Sequence, residues 1–216
     1  IDQQRYRSWG SVMKLVAQQK KPLWHLITII FLILIGYSPV AGADIVQKAE
    51  SWFANVKTMR ADFTQIASDG SAAEGKIVMR RPSRLKIAYE GVPALNLIAT
   101  PVWLHVDQPV ERRITSYPIS ETPLSLILAD PVSLRPAGYE TIVTERSGGI
   151  MQIAINKESG EGAGRLTLEF TASPFQLRRW IVEDVAGIQT SVTLQNMAFG
   201  LPVGNAEFSL PSYINN

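Results

Sequence analysis

A succession of short stretches in which apolar and polar residues alternate, each closed by a turn-forming cluster, constrains this chain more than any other feature. Residues 84–90 are the clearest case. Leu85, Ile87 and Tyr89 alternate with Arg84, Lys86 and Glu90. Successive side chains of a strand point to opposite faces, so such a run has one apolar face and one wet one. The same period, or a short apolar run, marks strands at 62–67, 74–80, 94–100, 102–107 and 111–116. It returns at 139–145, 150–156, 165–171, 175–183 and 188–198. Asp69-Gly70, Gly148-Gly149, the 159–162 cluster and Ala186-Gly187 supply the turns. Many short strands at regular spacing imply a large antiparallel sheet, curled or closed.

Two stretches depart from that period. In residues 44–60, Ile45, Ala49, Trp52, Phe53, Val56 and Met59 recur at helical spacing, behind Asp44 as N-cap. In residues 122–129, Thr122-Pro123 suits an N-cap and first helical position, Leu124, Leu126, Ile127 and Leu128 follow, and Asp130-Pro131 ends the run. An apolar helix between two blocks of strands is placed to cover an open sheet.

The first 43 residues read as upstream sequence and an export signal. Met13 is followed by Lys14, Lys20 and Lys21, then by an apolar run from Leu23 to Tyr37 that His25, Thr28 and Gly36 interrupt. That run is shorter than the roughly 20 apolar residues of a spanning helix. Ala41 and Ala43 have the small side chains that signal peptidase subsites admit, which places the cut after Ala43 and leaves one domain, residues 44–216. Five of the 21 Lys/Arg and one of the 19 acids precede residue 44, leaving 16 bases against 18 acids. A domain of that balance has no global drive towards nucleic acid. The absence of cysteine excludes disulfides, a thiolate nucleophile and cysteine-ligated metal.

Little of the remaining sequence suits bond-making chemistry. His105 is the one histidine after residue 44, and it faces away from Leu104 and Val106 by strand alternation. It has neither a Gly-x-Ser-x-Gly elbow nor a His-Glu-x-x-His motif to work with. The glycines at 159–164 lack the Gly-Lys-Ser/Thr ending of a phosphate loop and read as a hairpin. One arginine of the Arg80-Arg81 pair points to each side of the sheet; Arg112-Arg113 and Arg178-Arg179 read as solvated charge. The expectation is a binding protein, not an enzyme, with no cofactor and no metal.

The order of these features resembles the outer-membrane lipoprotein carrier family (LolA). Ala61-Asp62-Phe63-Thr64-Gln65 is similar to its Phe-x-Gln strand, and residues 74–82, ending in Arg81-Pro82, to its Gly, strand, Arg-Pro segment. Residues 85–90 stand for the strand after Arg-Pro, residues 102–107 for its Leu-Trp-x-Tyr strand, and residues 122–128 for its lid. Thr100-Pro101 replaces the usual Asp-Gly, Arg112 or Arg113 stands for a usual Gln, and aliphatic Leu85 and Ile87 replace aromatic residues. The resemblance implies an incomplete antiparallel β-barrel (a half-barrel) with an N-terminal helix and a short helical lid. It implies a soluble, monomeric periplasmic chaperone that carries lipoprotein acyl chains from an inner-membrane ABC transporter to an outer-membrane receptor. Arg81 would latch the lid; Phe63, Leu85, Ile87, Tyr89 and Trp103 would line the lipid cavity; Leu124, Ile127 and Leu128 would form the lid. A lipid-sensing regulatory protein of the same half-barrel type is the alternative, and a lipid or peptidoglycan hydrolase a more distant one.

Overall fold

The computed structural model describes residues 41–91, 93–160 and 163–215. Residues 1–40, with most of the expected export signal, lie outside them, and the expected cut after Ala43 falls in the first turn of a helix. That helix, α1 (Ala41–Asn55), is followed by six strands: β1 (Thr58–Ala67), β2 (Ala72–Arg80), β3 (Arg84–Glu90), β4 (Leu95–Ala99), β5 (Trp103–Gln108) and β6 (Arg113–Pro118). A 3-10 turn (Ile119–Glu121) leads to the short helix α2 (Leu124–Leu128). Five more strands follow: β7 (Glu140–Arg146), β8 (Ile150–Lys157), β9 (Gly164–Ala172), β10 (Phe175–Glu183) and β11 (Gln189–Phe199).

All eleven strands join one sheet in the order β6-β5-β4-β3-β2-β1-β11-β10-β9-β8-β7. Each half is a meander of neighbouring hairpins, and antiparallel pairing of β1 with β11 joins the halves. The ends of that order, β6 and β7, do not pair with each other, so the sheet is an incomplete barrel. The strands expected from alternation all form, with ends shifted by a few residues.

Register explains the interior. Met59, Met79, Leu85, Ala99 and Leu104 stand side by side across β1 to β5, and Ala61, Ile77, Ile87, Leu97 and Val106 form the next row. In the other half, Leu166, Leu168 and Phe170 of β9 face the same way as Ile153 and Ile155 of β8, and all five are buried. Two bulges keep long strands in phase. At Arg178 of β10 the pairing shifts, so Leu177 and Trp180 both point inward. At Asn196 of β11 a left-handed residue (φ 49°) does the same for Leu194 and Met197.

α1 is anchored on the inner face by aromatic contacts. Trp52 meets Phe53, Phe170 and Phe199 edge-on at 5.1, 5.8 and 6.0 Å, and Phe170 stacks on Phe175 at 4.8 Å. Glu50 accepts a hydrogen bond from the amide of Leu134 at 2.8 Å, tying the helix to the segment before β7. The helix is shorter than its apolar stripe suggested. It stops at Asn55, and Met59, expected on the stripe, lies in β1. From Thr58 onward Met59, Ala61 and Phe63 also alternate at period two, and ladders to both β2 and β11 outweigh another helical turn.

The C-terminal residues cross the outer face. Val203, Phe208 and Leu210 pack with Ile98 and Val78 in a second, smaller apolar cluster. Arg80 donates to the Val203 carbonyl at 2.9 Å, and Arg60 pairs with Glu207 at 2.7 Å. Further along, the Tyr213 hydroxyl donates to Asp107, which also accepts from Asn96 at 2.9 Å.

Candidate functional site

The interior has a wall of sheet and a small cover. α2 is five residues long, too short to hold a helical conformation on its own. Ile127 and Leu128 are buried against the interior, while Leu124 and Leu126 are half-buried beside it. Thr122 is extended and turns its hydroxyl to the Ile119 carbonyl at 2.9 Å, so Pro123, not the expected Thr122, occupies the N-cap position.

Arg80 ends β2 and Arg81 opens the turn after it, and the two side chains go to opposite faces. Arg80 goes outward to the C-terminal strap. Arg81 goes inward and is 8% exposed. Its Nη2 donates to the carbonyl of Ala129, the residue that closes α2, and the Ser83 amide donates to the Leu128 carbonyl at 3.1 Å. The guanidinium lies 5.7 Å from the centre of the Phe53 ring. Its Nε and Nη1 are buried without a partner. Burial lowers the Arg81 pKa and nearby Asp130 opposes the shift; an arginine starts so high that it stays charged. Each bare buried N–H costs about 1–3 kcal/mol against a solvated one. The closed arrangement is therefore held and penalised by the same side chain.

Under the N-terminal end of α2 a cavity of about 150 Å³ opens between Leu126, Tyr139, Ile155, Leu166 and Val182, with Glu121, Lys157, Arg165 and Glu183 at its rim. That is below the roughly 300–1,000 Å³ of ligand pockets, and the side chains of the inner face are buried in one apolar cluster. A larger trough of about 470 Å³ crosses the outer face of β7 to β11. Arg146, Gln152, Glu169 and Arg179 line it, and such walls suit polar material, not apolar chains.

The expected cavity residues divide. Phe63, Leu85 and Ile87 are buried in the interior cluster, and half-buried Tyr89 packs against it. Trp103 does not join them. It is 44% exposed and shares the outer face with His105, while its neighbour Leu104 turns inward. The resemblance placed it in the cavity; alternation, which already set His105 opposite Leu104, decides the face. His105 accepts or donates one hydrogen bond with Ser116 at 2.8 Å on that outer face, and burial holds its pKa below the ordinary imidazole range. Leu97 and Leu104 line the inner wall and were missed, although both lie on alternating runs. Gln65 was missed as a wall residue. It accepts from the Tyr89 hydroxyl at 2.8 Å, and burial pushes the Tyr89 pKa up. Among the described residues no group of acidic and histidine side chains could hold a metal ion, and no helix is long and apolar enough to cross a membrane.

The model of the family described as outer membrane lipoprotein carrier protein LolA matches residues 54–211. An outer-membrane lipoprotein carrier protein from Albidiferax ferrireducens is 33% identical over 111 residues, which cover 45% of this chain and 52% of that protein. The chain thus spans about half the length of this curated relative. An uncharacterized conserved protein from Thermus thermophilus superposes with a TM-score of 0.51 at 7% identity, over 80% of this chain and 95% of the other. MucB gives 0.51 at 10% identity, over 82% of this chain and 65% of its own. Identities this low speak to the fold alone.

Proposed function

The chain belongs to the outer membrane lipoprotein carrier family, LolA, and from that premise we propose that it is a periplasmic carrier of lipoproteins. In this reading the acyl chains enter the interior behind α2, delivered by an inner-membrane ABC transporter and surrendered to an outer-membrane receptor. No bond is made or broken, in keeping with a family of carriers.

The observation that carries the reading is Arg81 reaching from the sheet to the Ala129 carbonyl across a closed apolar interior. Acyl burial gains about 0.8 kcal/mol per methylene, so a carrier with a permanently open cavity would hold cargo too tightly to release it. A lid that closes on the empty interior competes with cargo, and apparent affinity falls by the fraction of molecules that are open. Two properties keep that competition balanced. The lid is a single short helix, bound by two buried side chains and two hydrogen bonds to Arg81 and Ser83. The latch itself leaves two guanidinium nitrogens without partners, which water can reach once the lid lifts.

The test is depletion of this protein in its host, followed by separation of inner and outer membranes. Outer-membrane lipoproteins accumulating in the inner membrane is the expected result. Unchanged sorting would remove the shuttle from the account.

A further inference from the structure

The incomplete barrel has two free edges, β6 and β7, and they are not equally protected. Bare N–H and C=O groups invite another strand, so native edges are commonly short, bulged, or interrupted by proline or lysine. β6 follows that rule: it is six residues long and ends in Pro118, which has no N–H. β7 does not. It runs seven residues, Glu140–Arg146, without proline, glycine or lysine, and pairs with β8 without a bulge. Its middle, Thr141-Ile142-Val143-Thr144, is wholly β-branched and suits extended chain. Among the described residues no main-chain hydrogen bond joins residues 140–146 to anything but β8. The Thr141 hydroxyl donates to the Leu134 carbonyl at 2.7 Å, a contact that uses no main-chain group of β7. Glu140, Ile142, Thr144 and Arg146 are all exposed.

The order of side chains along β7 is complementary to itself. Laid antiparallel on a second copy and centred on Val143, the strand sets Val143 against Val143, Ile142 against Thr144, Thr141 against Glu145 and Glu140 against Arg146. Residues directly opposite in such a pair share a face of the sheet. Ile142, Thr144 and Arg146 line the outer trough, and Glu140 joins that face by alternation. Each end of the pairing therefore carries one acid opposite one base on the outer face. Neutral neighbours on β8 hold both side chains and cancel neither charge. Asn156 donates to Oε2 of Glu140 at 3.1 Å, and Nε of Arg146 donates to Gln152 at 2.5 Å. The register is specific: centred between Ile142 and Val143, the strand would set Glu140 against Glu145. β6 has no such complement, since its own two-fold pairing sets Arg113 against Pro118.

We propose that β7 is the contact through which two copies of this chain associate, edge to edge about a two-fold axis at Val143. The resemblance implies a monomer; this pairing makes a weak dimer that forms as concentration rises. One strand pair is small beside the roughly 1,200–2,000 Å² of stable interfaces. The contact uses the same surface on both copies, so it closes at two and does not continue into a fibre. Because β7 borders the gap of the incomplete barrel, the pairing sets the gaps of two copies on either side of one joint. It does not depend on what the interior carries.

The experiment is sedimentation of the purified protein from about 5 to 500 μM, the range of weak contacts. The mass should rise from monomer towards dimer, and rise less in high salt. Glu140→Arg sets arginine against Arg146 at both ends and should weaken association about tenfold or more. Arg146→Glu sets glutamate against Glu140 and should do the same. Both changes in one chain restore two opposite-charge pairs, and wild-type association should return, which no folding defect would produce. Both positions are exposed, so all three variants should melt close to the wild type. A chain that stays monomeric throughout the range overturns the pairing. So does a dimer that neither single substitution weakens, a double variant no stronger than the singles, or an assembly that grows beyond two.

Discussion

At the scale of single residues, Arg81 and Gly75 make opposite demands. Arg81 contributes a charged hydrogen bond of about 1.5–3 kcal/mol but leaves its buried Nε and Nη1 without partners, at about 1–3 kcal/mol each. The two costs together, about 2–6 kcal/mol, match or exceed that gain. Arg81→Leu should therefore leave the melting temperature unchanged or raise it. The same substitution removes the directional hold on Ala129, so bound acyl chains should leave more slowly for an acceptor. Wild-type release rates from that variant would exclude the latch. Gly75→Ala tests the packing instead. Its Cβ meets a backbone oxygen that cannot step aside, and we expect a loss of about 3 kcal/mol or more in denaturant unfolding. Alternation divides the pair Arg80-Arg81 between faces, and the resemblance singled out Arg81 as the inward one. Gly75 as a packing site, and Gln65 as Tyr89's partner, were not legible in the sequence, because both depend on the register of three separate strands.

At the scale of elements, the two helices contrast. α1 is fixed by Trp52 and Phe53 against the rings of Phe170 and Phe199, whereas α2 rests on Ile127, Leu128 and the bonds to Arg81 and Ser83. Ile127→Ala should consequently act on lid opening more than on global unfolding. Burying that side chain is worth about 2 kcal/mol, so the open population should rise about 30-fold, read as stronger binding of a lipophilic dye at a nearly constant melting temperature. A variant that melts early and binds no more dye would mean that α2 belongs to the folded core. The elements were the most legible part of the chain. Strands such as 84–90 declare themselves by alternation alone, and hairpin topology follows from the short turns between them. The end of α1 was not legible, because Val56 and Met59 fit both a helical stripe and the approach to a strand. Trp103 entered the cavity list through the resemblance, against its place in the alternation.

At the scale of the whole molecule, the outer strap and the inner interior share one sheet. Arg60 pairs with Glu207 on the outside, and the bond holds the Glu207 carboxyl below its ordinary value of 4.5. In the unfolded chain Glu207 takes up its proton near that ordinary value; in the folded chain it does so at lower pH. The pair's contribution is therefore complete above about pH 4.5 and is lost as pH falls through the depressed folded value. Both partners are over a third exposed, so the effect is small, under about 1 kcal/mol. Glu207→Gln should flatten that acid limb of the stability profile and leave the neutral region nearly unchanged; an identical acid limb would remove the pair from the strap's account.

The central claim, that the closed interior opens to take acyl chains, is tested most directly by titrating the purified protein with a diacylated lipopeptide and with the same peptide lacking its acyl groups. The account predicts saturable binding of one acylated peptide per protein, stronger in Ile127→Ala, and no binding of the bare peptide. Equal binding of both peptides, or acylated peptide that associates without saturation, would contradict it.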